Sequence, residues 1–301
     1  MNEMQERVLA LKEEKKALII AHYYQTLDVQ EIADVVGDSF EMARRARDAE
    51  ENLLIVCGVR FMAESAKILS PEKTVLLPSP DAGCPMADMV TPEDVVKLRE
   101  KYPEAAVVCY VNTSASVKAV CDVCCTSSSA VKIVKALPEK RIIFIPDRNL
   151  GAYVASQVPE KEVLLYDGCC PIHYCVTESD VIEAKAAHPE AKLLAHPECR
   201  PEVLARADYI GSTSGIINEA TNSDAKEFII GTENEIVEYL RAHVPGKSFY
   251  PLTDSFICPN MKKTRLSDII LALENGEHEI KLGWPAIKAA AMSLERMVGY
   301  A

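Results

Sequence analysis

Hydrophobic and polar positions follow two alternating patterns along the chain. Short apolar runs, typical of buried parallel strands, alternate with longer stretches in which apolar residues recur at helical spacing. We predict strands at residues 17–22, 52–58, 74–79, 105–111, 141–146, 162–167, 191–196, 207–212, 227–232 and 247–252. We predict helices at residues 28–50, 91–103, 264–276 and 284–300, among others. This alternation indicates an α/β protein with parallel sheets.

One arrangement occurs three times in the sequence. A strand-like run, a short loop and a Cys-Pro pair end at Cys84, at Cys170 and at Cys258, which are 86 and 88 residues apart. None of the other cysteines precedes a proline. Near-equal spacing predicts one α/β unit of about 85 residues used three times. We expect three pseudo-symmetric units about a pseudo-three-fold axis: residues 1–91 joined by a C-terminal helix at 280–301, residues 92–176 and residues 177–279.

Composition and charge narrow the functional class. The chain has 301 residues, is 49% hydrophobic and carries a formal net charge of −12. An acidic balance argues against a nucleic-acid partner, and no apolar run approaches the roughly 20 residues that span a bilayer. The N-terminus reads as an amphipathic helix and lacks the apolar core of a secretory signal. We therefore expect a cytoplasmic protein that acts on small molecules, with no membrane partner.

The three Cys-Pro cysteines are candidate metal ligands. Eleven cysteines in a reducing compartment are buried small residues or metal ligands. Loops after parallel strands lie at one edge of a sheet, so three such loops can meet near a common axis. Three thiolates suit an iron–sulfur cluster, whose fourth iron then stays open as a Lewis acid. The neighbouring Cys169 is an alternative to Cys170.

A second cysteine group competes as a metal site. Cys121, Cys124 and Cys125 include the C-x₂-C spacing of zinc and cluster sites, but no second pair or histidine pair accompanies them. They interrupt an apparently helical stretch, and packed thiols near a helix end are the favoured interpretation.

Polar residues also follow predicted strands. The segments begin at His22, Tyr110, His196 and Gly211, each directly after or at the end of an apolar run. A single such residue is usually structural. Four clusters at the strand ends that also carry the cysteine loops favour a shared pocket.

A set of motifs between about residue 20 and residue 265 resembles the quinolinate synthases. The motifs are AHYYQ, GDSF, CGVRFMAESAKIL, GCPMAD, CYVNTSA, CTSS, PDRNLG, CPIH, AHPEC, GSTSG, IGTE and CPNMKKT. The resemblance implies three αβα domains around a 4Fe-4S cluster held by one cysteine from each. It also implies condensation of iminoaspartate (iminosuccinate) with dihydroxyacetone phosphate to quinolinate, with release of phosphate and two waters, on the route to NAD.

The resemblance assigns residues by motif. The cluster ligands are Cys84, Cys170 and Cys258. The substrate-binding residues are His22, Ser39, Tyr110, Asn112, Ser127, His196, Glu198 and Thr213, and Tyr24 lies near the chemistry. Catalytic roles fall to Glu198, Tyr24, His22, His196 and Tyr110, with Glu198 as general base and Tyr24 or His22 as proton carriers.

Several points stay open in the sequence. Ser128 is an alternative to Ser127, and His173 either supports the cluster or takes part in the chemistry. The CPNMKKT segment lacks the extra cysteines that form a regulatory disulfide in some relatives, so no such switch is expected. A hydro-lyase with the same cluster, and a cluster-free binding protein for sugar phosphates or amino acids, are competing functions. Because iminoaspartate hydrolyses readily, transient contact with the enzyme that produces it is a further hypothesis.

Overall fold

Three small parallel sheets organise the chain, and each is built from one stretch of sequence. The structure is a computed structural model that describes residues 1–300. The first sheet contains β1 (Ala17–His22), β2 (Val35–Gly37), β3 (Leu53–Cys57) and β4 (Thr74–Leu76). The second contains β5 (Ala106–Tyr110), β6 (Val123–Cys125), β7 (Arg141–Ile145) and β8 (Glu162–Leu165). The third contains β9 (Lys192–Ala195), β10 (Tyr209–Ile210), β11 (Glu227–Gly231) and β12 (Ser248–Pro251).

Helices connect the strands and close the chain. They are α1 (Glu3–Lys15), α2 (Leu27–Gln30), α3 (Ser39–Asp48), α4 (Arg60–Leu69), α5 (Pro92–Lys101), α6 (Ala115–Lys118), α7 (Ala130–Ala136), α8 (Arg148–Gln157), α9 (Pro171–Tyr174), α10 (Glu178–Ala187), α11 (Pro201–Leu204), α12 (Thr213–Asn222), α13 (Glu235–His243), α14 (Leu266–Asn275) and α15 (Trp284–Gly299). Helix α5 starts where its sequence predicts, because Thr91 and Asp94 form a reciprocal capping box and Pro92 occupies the first turn. No helix among residues 1–300 is long and apolar enough to cross a membrane.

The three sheets share one topology. Their strand orders are β2-β1-β3-β4, β6-β5-β7-β8 and β10-β9-β11-β12, and the paired strands are parallel. Helices flank each sheet. The predicted fold class, three repeated αβα units with small parallel sheets, is therefore confirmed. Because parallel strands end at one edge of a sheet, the loops after the strands gather there in each unit.

All ten predicted strands are present, but two strands escaped prediction. The continuous helix predicted at residues 28–50 is wrong: the segment contains α2, the edge strand β2 and α3. The helical assignment around Cys121, Cys124 and Cys125 is wrong as well, because this segment contains edge strand β6. Each missed strand has only three residues, which is too short to show a clear period.

An aspartate directly before each of the edge strands β2, β6 and β10 hydrogen-bonds to the neighbouring strand. Asp34 accepts a hydrogen bond from the Ile19 N–H at 2.9 Å, and its own N–H donates to the Ile19 carbonyl at 2.9 Å. Asp122 and Asp208 make the same pair of bonds to Val107 and Leu193 in the other two units. Each aspartate therefore adds one side-chain hydrogen bond to the parallel ladder, which helps a strand of two or three residues to pair with its neighbour.

Two helices contact units other than the one that they follow in the sequence. Helix α14, within the stretch assigned to the third unit, packs with α1 on one face of the first sheet through an apolar cluster that includes Leu266 and Ile269. Helix α15 lies against α4 of the first unit and against α6 and β6 of the second. The chain thus returns to the first unit before its end, and the boundaries at 91, 176 and 279 stay predictions.

Candidate active site and metal centre

One pocket collects the predicted site residues of all three units. It encloses about 920 Å³ of space between protein atoms, with the open solvent at its mouth included. Its lining includes His22, Tyr24, Ser39, Cys84, Tyr110, Asn112, Ser127, Cys170, His196, Glu198, Thr213 and Cys258. The residues come from loops and strand ends of all three sheets, so the pocket forms only when the three units pack together.

The polar lining residues recur at fixed intervals that the sequence reasoning missed. Three sets of three residues are spaced by 88 and then 86 positions. The sets are His22, Tyr110 and His196; Tyr24, Asn112 and Glu198; and Ser39, Ser127 and Thr213. Members of each set lie at the end of, or shortly after, equivalent strands in the three sheets. The three units therefore contribute equivalent backbone positions to the site, but different side chains at each position.

Two buried histidines have the same ring orientation, with Nδ1 hydrogen-bonded to the backbone. His22 Nδ1 accepts a hydrogen bond from the Tyr24 N–H at 3.1 Å, and His196 Nδ1 accepts from the Glu198 N–H at 3.3 Å. Burial lowers the pKa of His22 to about 3 and that of His196 to about 4. Both rings are therefore neutral near pH 7, and the proton lies on Nε2. Each ring offers the pocket an N–H donor without a charge.

Glu198 is the buried carboxylate of the site. Its Oε1 accepts a hydrogen bond from the Tyr110 hydroxyl at 2.6 Å, and its Oε2 lies 2.9 Å from His173 Nδ1. Burial alone would raise the pKa of Glu198, but the imidazoles of His173 and His196 and the hydroxyl of Tyr110 hold it below its usual range. Glu198 is therefore ionised, and Tyr110 and His173 hold its two oxygens in place.

Tyr24 is held from two sides. Its hydroxyl lies 2.6 Å from Thr232 Oγ1 and 3.0 Å from Thr213 Oγ1. Burial and the nearby charge of Glu198 raise the pKa of Tyr24 well above its usual value. The phenol therefore stays protonated and serves as a neutral donor or as a link in proton transfer.

Hydroxyl groups stand at the starts of helices that face the pocket. Ser39 and Thr213 are the first residues of α3 and α12, which are capped by the side chains of Asp38 and Ser212. Ser127 lies 3.2 Å from His196 Nε2, whereas Ser128 is exposed and does not line the pocket. Helix starts supply unpaired backbone N–H groups and a favourable dipole end for anions.

The three Cys-Pro cysteines all reach this pocket as free thiols. Cys84, Cys170 and Cys258 line it, but Cys169 does not. Burial raises the pKa of Cys84 to about 12 and that of Cys170 well above its usual value. Without a metal these thiols stay protonated, so a bound metal must displace their protons.

The spacing of the thiols fits a cluster better than a single ion. Thiolates on one zinc ion, each about 2.3 Å from the metal, lie within about 4 Å of one another. Among residues 1–300, the sulfurs of Cys84, Cys170 and Cys258 do not form a group within 4.8 Å. Soft sulfur donors around a wider space are the ligand set that an iron–sulfur cluster uses.

Buried carboxylates hold two of the three cysteine loops. Asp147 Oδ2 accepts a hydrogen bond from the Cys170 N–H at 2.9 Å, and Glu233 Oε1 accepts from the Cys258 N–H at 3.2 Å. The position that corresponds by spacing in the first unit is Val59. Cys170 differs from Cys169 in that its N–H donates to Asp147 and its side chain lines the pocket.

The structure places His173, whose role the sequence left open, beside Cys170 and Glu198. Cys170 Sγ, a His173 ring nitrogen and a Glu198 oxygen lie within 4.8 Å of one another. His173 Nδ1 is 3.3 Å from Cys170 Sγ, and its Nε2 is 3.0 Å from Thr232 Oγ1. His173 therefore touches both a candidate cluster ligand and the polar network of the pocket.

The competing cysteine group lies outside the pocket. Cys121, Cys124 and Cys125 are buried in and beside β6, and Cys124 Sγ lies 3.4 Å from the Ser293 hydroxyl on α15. Burial raises the pKa of Cys124 and of Cys125 well above the usual value. Within residues 1–300 these thiols form no three-donor metal group, so they pack the second unit as small apolar side chains.

Sequence reasoning missed four residues around the pocket. Thr232 directly follows β11, Asp147 and Glu233 lie two positions after β7 and β11, and Lys262 follows Cys258 by four positions. Lys262 Nζ lies 2.6 Å from the Tyr24 carbonyl and 2.8 Å from a Glu235 oxygen. The repeat interval was the available signal for Asp147 and Glu233, because both align with a residue two positions after a strand.

Comparison with known proteins gives one consistent family. The model of the family described as Quinolinate synthetase A protein matches residues 6–299. The chain is 54% identical to "Quinolinate synthase" of Caldicellulosiruptor saccharolyticus over 288 residues, covering 96% of this chain and 95% of that protein. It is 51% identical to "Quinolinate synthase 2" of Methanosarcina acetivorans, covering 97% and 94%. It is 49% identical to "Quinolinate synthase" of Clostridioides difficile, covering 97% and 96%.

Proposed function

The chain belongs to the quinolinate synthetase A family, and from this premise we propose that it condenses iminoaspartate with dihydroxyacetone phosphate. The product is quinolinate, a precursor of NAD, and phosphate and two waters are released. The observation that carries the proposal is the convergence of three free cysteines and the ionised Glu198 in one buried pocket. A family match alone would not require these groups to meet.

Neutral donors explain how an acidic protein binds anionic substrates. The two substrates carry two carboxylates and one phosphate. The pocket offers hydroxyls of Ser39, Ser127 and Thr213 near helix starts, and N–H groups of two uncharged histidines. Asn112 Oδ1 is buried and has no hydrogen-bond partner within residues 1–300, so it is available to a substrate donor. Recognition by oriented dipoles needs no basic surface.

Ring formation requires proton removal from carbon and proton delivery to leaving oxygens. Glu198 is the base, because it is ionised and held between Tyr110 and His173. Tyr110 stays protonated, since burial and the charge of Glu198 raise its pKa well above the usual value. Tyr110 therefore stabilises the carboxylate and hydrogen-bonds to it again after each proton transfer. His22 and His196 polarise substrate oxygens as neutral N–H donors.

Cys84, Cys170 and Cys258 would hold a 4Fe-4S cluster whose fourth iron has no protein thiolate. When bound, that cluster supplies a Lewis acid that assists loss of a substrate hydroxyl as water. The protein contributes the three thiolates and a pocket wall that includes Phe61 and Met86, which limits water around the reacting atoms.

Substrate turnover tests the proposal. Anaerobically reconstituted protein with about four irons per chain is incubated with dihydroxyacetone phosphate and freshly generated iminoaspartate, and quinolinate is measured by chromatography. We expect quinolinate and phosphate in equal amounts. Cluster-replete protein that releases no quinolinate would contradict the synthase, and dehydration of a small hydroxy acid by the same preparation would favour the hydro-lyase.

Two further parts of the proposal concern the cell. The need for three reduced thiols supports a cytoplasmic location. The short life of iminoaspartate in water supports transient contact with the enzyme that produces it. Cross-linking in cell extract, with recovery of an iminoaspartate-forming oxidase or dehydrogenase, tests the contact.

A further inference from the structure

A second cleft lies beside the second cysteine loop and shares no lining residue with the active pocket. Its lining includes Arg148, Tyr174 and Arg200, and it encloses about 570 Å³ of space between protein atoms, with the open solvent at its mouth included. We propose that this cleft binds a phosphate dianion, free or as part of a small phosphomonoester, between the guanidinium groups of Arg148 and Arg200. The site does not depend on which reaction the active pocket catalyses.

The ring of Tyr174 lies against both arginines. The guanidinium carbon is 4.7 Å from the ring centroid in Arg148 and 4.0 Å in Arg200. The two guanidinium carbons are therefore at most 8.7 Å apart, the sum of these distances. Two cations this close repel each other, and an anion that contacts both of them removes the repulsion.

The neighbouring carboxylates leave most guanidinium donors free. Arg148 Nη1 donates to Asp167 Oδ1 at 2.5 Å, but the side chain of Asp167 is 89% exposed. Glu202 Oε1 lies 3.6 Å from Arg200 Nη1 and forms no hydrogen bond with it. Exposed ion pairs of this kind contribute little stability. Within residues 1–300, Nε and Nη2 of Arg148 and both Nη atoms of Arg200 make no hydrogen bond, so they are available to an anion.

The class of ligand follows from the number of donors. Each guanidinium group presents its N–H donors in a planar fork that binds two oxygens at once. Two forks need more acceptors than the two oxygens of one carboxylate, whereas a phosphate group has three free oxygens and a charge of about −1.5 to −2. The chain as a whole carries a net charge of −12, so the paired arginines are a local exception and not part of a basic surface.

Both arginines are connected to segments that build the active pocket. Asn149, next to Arg148, donates from Nδ2 to the Glu198 carbonyl at 2.9 Å. Arg200 Nε donates to the carbonyl of Tyr174, the last residue of α9, which is the helix that follows the second candidate cysteine ligand. An anion bound to both guanidinium groups therefore connects the start of α8 with α9 and with the chain after Glu198. We expect it to reduce local opening of α9.

Two kinds of substitution change the site in opposite directions. Arg148→Gln and Arg200→Gln each remove one fork and should weaken phosphate binding by about 10-fold or more. Glu202→Gln removes a carboxylate that competes for Arg200, so it should tighten phosphate binding. Arg7→Gln and Glu274→Gln are the matched controls, because they change the net charge by the same amounts in an exposed ion pair on α1 and α14.

The experiment uses anaerobically reconstituted holoenzyme and two probes, inorganic phosphate and glycerol 3-phosphate. Dissociation constants come from ³¹P NMR titrations, and phenylglyoxal modification mapped by mass spectrometry identifies the arginines that each probe protects. We expect protection of residues 148 and 200. Amide hydrogen exchange at residues 174 and 175, whose N–H groups bond within α9, should slow by about 11-fold when the probe is at ten times its dissociation constant.

The probe that binds more tightly identifies the ligand as free phosphate or as a monoester. Unchanged binding in both Arg148→Gln and Arg200→Gln would overturn the site, and so would an equal loss of binding in Arg7→Gln. Equal protection of the two arginines by succinate, a dicarboxylate, would overturn the assignment to phosphate. The side chain of Glu202 is 43% exposed, so Glu202→Gln provides a test even where an arginine variant does not fold. Binding that does not tighten in Glu202→Gln would contradict the proposal.

Discussion

Asp147 offers the sharpest quantitative prediction about the second cysteine loop. Its carboxyl group is fully buried and accepts two hydrogen bonds: Oδ1 accepts from the Leu150 N–H at 2.7 Å and Oδ2 accepts from the Cys170 N–H at 2.9 Å. In Asp147→Val both donors lose their partner, at about 1–3 kcal/mol each. Burial and the charge of Glu198 raise the pKa of Asp147 to about 8. Burying this carboxyl group therefore costs free energy, and its removal in Asp147→Val offsets part of the loss from the two hydrogen bonds. We expect a net loss of about 2–3 kcal/mol.

Amide hydrogen exchange in cluster-free protein measures this loss locally. About 2–3 kcal/mol corresponds to roughly 30- to 150-fold faster exchange of the amides at residues 150 and 170. Asp147→Asn has one side-chain oxygen for two donors and should lose about half as much. The loop around Cys84 is an internal control, because Val59 stands at its corresponding position and no carboxylate holds it. Unchanged exchange at residues 150 and 170 in Asp147→Val would refute the reasoning.

Three other outcomes follow from the same geometry. Cys170→Ser should lose the cluster, measured as iron and sulfide per chain, whereas Cys169→Ser should keep it; equal retention would remove Cys170 as a ligand. Glu198→Gln keeps an acceptor for Tyr110 but no base, so kcat for quinolinate should fall by about 10²–10⁴-fold at unchanged iron content, and near-wild-type turnover would exclude Glu198 as base. His22 has a folded pKa of about 3, below its unfolded value of 6.5, so its contribution to stability is present above pH 6.5 and is lost as the pH falls toward 3. The free energy of unfolding of cluster-free protein, measured with urea, should therefore fall on acidification more steeply in wild type than in His22→Asn, by up to about 1.4 kcal/mol per pH unit. An identical pH dependence in the two proteins would contradict the buried neutral ring.

Ten strands could be predicted from apolar runs in the sequence, including β4 and β10, which have only three and two residues in the structure. Edge strands β2 and β6 could not, because each is three residues long within a segment whose apolar spacing suggested a helix, and an aspartate side chain completes its pairing. Asp34, Asp122 and Asp208 are 88 and 86 residues apart, so the internal repeat was the signal that would have located both strands.

Some residues of the candidate site could likewise be predicted from the sequence, and others could not. Residues at strand ends, such as His22 and Glu198, could be predicted because parallel sheets gather such positions at one edge. Thr232 and Asp147 could not be assigned contacts from the sequence, because their partners lie in other units or in a loop 23 residues away. The packing of α14 on the first sheet depends on the same long-range contacts, which local patterns do not encode.

We propose that Cys84, Cys170 and Cys258 hold a cluster in the pocket and leave one of its irons without a protein ligand. Mössbauer spectroscopy of protein reconstituted with ⁵⁷Fe, before and after addition of dihydroxyacetone phosphate or quinolinate, tests it directly. We predict that one iron of about four changes its spectrum on ligand addition while the others do not. Four unchanged irons at saturating ligand, or a preparation that binds no cluster, would contradict the account.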